Sequence, residues 1–118
     1  MPWVVEYTDE FEDWWEALTG DEQERVTAAV EVLEDVGPGL GRPLVDTLKG
    51  SRHEHMKELR PPSGHLRVLF AFDPRRVAIL LIGGDKSGRW SEWYQRMVPM
   101  ADRLFDEHLQ ALAEEGTP

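Results

Sequence analysis

The sequence predicts an α+β fold of order β-α-α-β-β-β-α, with a helical hairpin packed on one face of a small, mostly antiparallel sheet and a C-terminal helix closing the chain. Three observations predict it. Two amphipathic stripes meet at a capping signal, three extended runs are joined by hairpin-length turns, and one long helical segment follows the last run.

Trp3-Val4-Val5-Glu6-Tyr7 is rich in branched and aromatic residues and reads as a short strand. Phe11, Trp14, Trp15 and Leu18 then fall at i, i+3, i+4 and i+7, the stripe of a helix that Thr8 or Asp9 can cap. Thr19 and Glu22 stand at capping-box spacing and restart the chain, and Val26, Ala29, Val30 and Leu33 form a second stripe that Gly37-Pro38 ends. Gly39 to Ser51 lacks either periodicity and is expected to be a connecting loop. His53 to Arg60, Leu66 to Phe72 and Val77 to Ile82 are expected to form an antiparallel meander. The third run is apolar throughout and is expected at the centre of the sheet. A helix is expected from near Ser91 to about Glu114, with Pro99 as a point of interruption.

With 118 residues, 41% of them apolar, the chain is expected to form one domain, 1–118, frayed from about residue 115. Its N-terminus lacks the basic start and apolar run of a secretory signal, so a cytoplasmic location is expected. The absence of cysteine removes disulfides, thiolate nucleophiles and the common zinc ligand sets. Net charge is −10, which opposes phosphate binding, but the charges are unevenly placed. Residues 1–41 carry one arginine against twelve acids, residues 42–96 eleven basic residues against six acids, and residues 97–118 one against five. A basic middle between acidic flanks reads as an anion-binding surface on a solubilising scaffold.

His53, His55 and His65 invite a metal reading, yet no carboxylate stands at a typical spacing and the His-x-His pair reads as surface. Gly83-Gly84-Asp85-Lys86-Ser87-Gly88 is glycine-rich but lacks Walker spacing and follows the last strand instead of opening a βαβ unit. No Ser-His-Asp order and no isolated carboxylate pair stands out. A set of cations does: Lys57, Arg60, Arg67, Lys86 and Arg89. Arg67 sits between Leu66 and Val68, where a charge needs a ligand or a partner, and a salt bridge to Glu58 is the structural alternative. Trp90, Trp93 and Tyr94 offer either core packing or a platform for an unstacked base.

Met56-Lys57-Glu58-Leu59-Arg60, then Arg67-Val68-Leu69-Phe70, Asp73-Pro74-Arg75-Arg76 and Leu80-Leu81-Ile82-Gly83-Gly84-Asp85-Lys86 together resemble the HigB-like toxins of the RelE/ParE superfamily. The upstream Gly37-Pro38-Gly39-Leu40-Gly41-Arg42-Pro43 is similar to that group's loop. The resemblance implies a RelE-like fold and the toxin of a type II toxin–antitoxin system. Its activity would be that of a metal-independent mRNA endonuclease using 2′-hydroxyl attack, often on the ribosome, with no cofactor. It also implies a cognate antitoxin, in the HigB group commonly a helix-turn-helix HigA-like protein.

By the same resemblance Arg67 is the first choice for phosphate stabilisation and Arg60 the second. Lys86 neutralises the leaving group or phosphate, and Tyr94 falls near an aromatic acid–base position. Lys57, Arg89, Trp90 and Arg42 are the candidates for RNA contact. RelE carries lysines where this chain has Met56 and Glu58, so His55, which shares the face of Lys57 in a regular strand, is the candidate proton shuttle. A silencing partner is expected between Arg42 and Arg96 or on the helix after Ser91. Two other readings stay open: a ParE-like poison of DNA gyrase, and a non-catalytic derivative that represses its own operon with its antitoxin.

Overall fold

Successive residues of a strand face opposite sides of the sheet, and the runs 66–72 and 78–84 are apolar on both, so they demand cover above and below. The computed structural model, which describes residues 2–116, supplies that cover. Its elements are β1 (Val5–Tyr7), α1 (Asp9–Glu16), α2 (Gly20–Val36), a 3-10 turn (Gly37–Gly39), β2 (Val45–Thr47), β3 (Lys57–Leu59), β4 (Leu66–Phe72), β5 (Ala78–Asp85) and α3 (Trp90–Glu114). The five strands lie in the order β1-β5-β4-β3-β2. β1 runs parallel to β5 and the other neighbours are antiparallel.

The hairpin α1–α2 covers one face, where Phe11, Val26 and Leu33 pack on Leu59, Val68, Phe70 and Leu80. On the other face α3 lays Trp93, Met97, Ala101, Leu104 and Phe105 over Met56, Leu69, Ala71, Ile79 and Leu81. Each such large side chain, once buried, stabilises the fold by about 1.5–3 kcal/mol. Thr8 caps α1, its hydroxyl accepting from the Phe11 amide at 3.0 Å, and Thr19 with Glu22 forms the expected capping box. Among the described residues no helix is long and apolar enough to cross a membrane.

Four local expectations need correction. The loop between Gly39 and Ser51 contains β2, a three-residue edge strand whose Asp46 lies opposite Glu58. That extra strand makes β4 the middle of the sheet, with β5 an interior strand beside it. The strand expected from His53 begins only at Lys57, because the preceding segment is tied to α3. Asp102, buried, accepts from the Ser51 hydroxyl and from the Arg52 amide at 3.1 Å, and His53 Nε2 lies 2.8 Å from Asp106. α3 itself runs unbroken through Pro99.

The β4–β5 ladder contains a bulge. Leu69 pairs with Ile82 and Phe70 with Leu80, leaving Leu81 without a partner, and Thr8 Oγ1 donates to the Leu81 carbonyl at 2.6 Å. An extra residue reverses which side chains face which layer, so Gly83 faces the hairpin and Gly84 faces α3. A methyl group at Gly83 would lie 2.2 Å from the Trp14 ring, and one at Gly84 2.7 Å from Trp93 Nε1. Both tryptophans therefore rest on bare backbone. Gly83→Ala is expected to destabilise the fold by about 1–3 kcal/mol through overpacking, seen as a melt several degrees lower, while Gly41→Ala, with nothing within 4 Å, should melt like the parent. Equal melting temperatures for the two variants would contradict this packing.

Candidate functional site

Strand alternation sorts the chemistry-bearing residues. Met56 packs under α3, so Glu58 and Arg60, at two-residue intervals, share that face, and Leu59 faces the hairpin. On β4, Arg67 lies between two hairpin-facing residues, Leu66 and Val68, and so also faces α3. Opposite it stands Gly84, whose missing side chain lets Trp93 settle on β5 and brings the next residue, Tyr94, over β3. Lys86 follows β5, its amide donating to the His65 carbonyl at 2.9 Å.

These placements converge on one carboxylate. Glu58 is 2% exposed. Arg60 donates from Nε to Glu58 Oε2 at 3.1 Å, and its Nη2 lies 3.0 Å from the same oxygen. Arg67 Nε stands 3.6 Å from Glu58 Oε1 without a hydrogen bond, and that buried nitrogen has no partner among the described residues. Its Nη1 donates to the Leu66 carbonyl at 2.7 Å, which fixes the plane of the guanidinium. The Tyr94 hydroxyl donates to Glu58 Oε1. Farther out, Asp46 on β2 lies 3.4 Å from Arg60 Nη2 and 3.1 Å from Arg42 Nη2.

The electrostatics follow from these contacts. Burial and donation to the Glu58 carboxylate push the Tyr94 hydroxyl up to about 12, so it stays protonated at neutral pH. Desolvation, with repulsion from Arg67, lowers Lys86 below the ordinary lysine value. The hydrogen bond from Arg42 holds Asp46 below its usual range against the opposing cost of burial. Lys86 Nζ lies 5.8 Å from the Tyr94 ring centre and 5.6 Å from that of Trp90, within cation–π range of both.

Of the residues expected in the site, Arg67, Arg60, Lys86 and Tyr94 come together. Trp90, 58% exposed, sits beside Lys86 and Tyr94, with its ring centre 6.3 Å from the tyrosine's. Arg42 joins only through Asp46, and Arg89 is an exposed residue paired with Glu92 at 3.3 Å. Lys57 belongs to the hairpin-facing side of β3, opposite Arg60. His55 is not brought in: it lies in a turn before β3, its side chain 86% exposed and 3.9 Å from Glu54. The central place of Glu58 is not evident from the sequence, where it stands out only as a structural partner for Arg67. The one signal for it is the two-residue spacing to Arg60 and Met56.

The chain is similar to two candidate toxins of Mycobacterium tuberculosis (strain ATCC 25618 / H37Rv). It is 54% identical to HigB2 over 81% of its own length and 49% of the relative's, so it spans about half of that protein. It is 51% identical to HigB3 over 83% of its own length and 86% of the relative's. Among solved structures its fold is similar to free Escherichia coli RelE with two arginines changed to alanine, at TM-score 0.62 and 15% identity over 84% of this chain and 97% of that one. The RelE–RelB complex of Pyrococcus horikoshii OT3 gives TM-score 0.58 and 18% identity over 74% of this chain and 98% of that one. The pattern of the phage-derived Gp49-like proteins matches residues 13–106, and this chain belongs to that family.

Proposed function

We propose that this protein is the toxin of a toxin–antitoxin pair and that it cleaves messenger RNA, including on the ribosome, until a helix-turn-helix antitoxin of the HigA kind silences it. The observation that carries the RNase reading is the buried Glu58 carboxylate bracketed by Arg60, Arg67 and the Tyr94 hydroxyl. The relatives' designation as candidate toxins supports the biological setting.

Cleavage by internal attack needs a base for the 2′-hydroxyl, positive charge for the phosphorane and a proton for the departing 5′-oxygen. Glu58 is an acceptor already placed among cations, and it takes the 2′-proton as the new oxygen–phosphorus bond forms. Arg67 and Arg60 turn donors toward the non-bridging oxygens, where fixed positive groups contribute most. Arg67 starts with an unsatisfied Nε, so engaging phosphate satisfies a donor that the resting fold leaves bare. The 5′-oxygen takes a proton from the Lys86 ammonium, which desolvation and Arg67 make more acidic, and leaves as a hydroxyl, giving a 2′,3′-cyclic phosphate on the other fragment. Tyr94, protonated at neutral pH, donates a hydrogen bond, and Lys86 adds charge on the leaving side. Trp90 offers its exposed ring to a base.

Glu58→Gln keeps the shape and removes the base, and is expected to slow cleavage of a purified mRNA by about 10²–10⁴-fold. Arg67→Ala is expected to cost roughly ten- to several hundredfold, the worth of one or two charge-assisted hydrogen bonds, with Arg67→Lys recovering little. Circular dichroism checks that each variant is folded. A folded Arg67→Ala protein cutting at the parental rate would remove the residue from the site, and arrested growth with intact mRNA and trapped gyrase complexes would favour the ParE-like reading.

Tyr94 gives a pH test. Its folded value of about 12 lies above the unfolded value of about 10, so its contribution to stability is full below about pH 10 and is lost as pH rises through about 12. The parent should therefore lose more stability across that window than Tyr94→Phe in denaturant titrations. Parallel losses in the two proteins would mean that the hydroxyl is not held by Glu58.

A further inference from the structure

The sheet has a second feature that the RNase reading does not use, at its far edge from β2. β1 is an edge strand, and its main chain is engaged with β5 on one side only: the Val4 carbonyl accepts from Ala78 N at 3.0 Å and Thr8 N donates to the Leu80 carbonyl at 3.1 Å. Alternation then directs the N–H and C=O groups of Val5 and Tyr7 outward, and none of them has a protein partner among the described residues. Val4 and Tyr7 are 57% and 58% exposed.

A cavity flanks this edge on each face. On the hairpin side, a groove of about 330 Å³ has Tyr7, Phe11, Trp15 and Val30 in its wall. On the α3 side, a cavity of about 220 Å³ is bordered by Glu6, Glu10 and Glu107. A strand laid along β1 would turn alternate side chains to these two faces, apolar ones into the groove and the others toward the glutamates. We infer that the β1 edge is a docking surface for an extended segment of a protein partner in which apolar and basic residues alternate.

Charge decides the occupant. Residues 1–41 hold twelve acids and one arginine, so an acidic segment is repelled and a basic one drawn in. A second copy of this chain is a poor fit, because antiparallel pairing of two β1 strands about Glu6 sets the two glutamates against each other. The edge is also remote from Glu58, since β5 and β4 separate β1 from β3. A partner held at β1 leaves the cations uncovered, so this surface adds to any contact that silences the site and does not replace it.

The probe is a short capped peptide of alternating valine and arginine. Its comparators are a peptide of the same composition in scrambled order and one of alternating valine and glutamate. Amide exchange and chemical shifts of the isotope-labelled full chain are followed during titration. Saturable binding is expected only for the alternating basic peptide, with the Val5 and Tyr7 amides protected and their resonances shifted. Glu10→Lys with Glu107→Lys should weaken binding at least tenfold, and Val5→Pro, which deletes an outward N–H, should weaken it while leaving the β5 contacts in place. Absence of protection at Val5 and Tyr7, equal binding of either comparator peptide, or protection of these amides by self-association in the free protein would each overturn the proposal.

Discussion

One buried carboxylate organises the α3 face of the sheet. An ionised group nearly free of solvent contact is costly unless it is paired, and Glu58 meets that constraint with two guanidiniums and a phenol drawn from three different elements. Each partner depends on a further feature of the fold. Arg60 is also braced by Asp46, which requires β2. Arg67 reaches the α3 face through the register of β3 and β4. Tyr94 follows Trp93, which can lie on the sheet only where Gly84 has no side chain. The bulge at Leu81 sets that alignment, because without it Gly84 would face the hairpin. On the proposed RNase reading, the same cluster that satisfies the carboxylate is also the one that holds a phosphate diester. On that reading, its donors already face a carboxylate before a phosphate arrives, which reduces the reorganisation needed on binding.

The division of charge along the chain has a related meaning. The basic middle segment is not a bare positive field, for many of its cations are matched locally. Arg75 lies between Asp73 and Glu6, Arg52 against Asp106, and Arg60 between Glu58 and Asp46. Asp73 shows how firmly such pairs are built: burial alone would raise its carboxyl, yet hydrogen bonds from His108, Arg75 and the Val77 amide hold it below the usual range. Arg67 and Lys86 are less fully matched. Positive charge is thereby concentrated beside Glu58 on a protein whose net charge is −10, and the acidic hairpin lies on the opposite face of the sheet.

Much of this is legible in the sequence where one local rule suffices. The stripes of α1 and α2, the Thr19–Glu22 capping box and the long apolar runs of β4 and β5 announce themselves, because their periods and caps depend on near neighbours. It is the resemblance to the HigB-like toxins, and no local rule, that assigns Arg60, Arg67, Lys86 and Tyr94 to one neighbourhood. The missing parts depend on distant residues. β2 has three residues and exists because β3 offers it an edge. His53 and its neighbours leave the strand because Asp102 and Asp106, about fifty residues away, capture them. Glu58 looks in the sequence like one half of a salt bridge, since its second arginine, its tyrosine and its burial appear only when β2, β4 and α3 are in place.

The proposed chemistry, with Glu58 as base and the two arginines on the phosphate, fixes the ends of the product. The most direct measurement is mass spectrometry of fragments made by the purified chain from an RNA bearing a single 2′-deoxynucleotide at its otherwise preferred cut. Fragments from unmodified RNA should carry 2′,3′-cyclic phosphate and 5′-hydroxyl ends, and the deoxy position should be resistant. Fragments with 3′-hydroxyl and 5′-phosphate ends, or undiminished cutting at the deoxy position, would show that water and not the 2′-oxygen attacks phosphorus, and would contradict the role of Glu58 as the base that takes the 2′-proton.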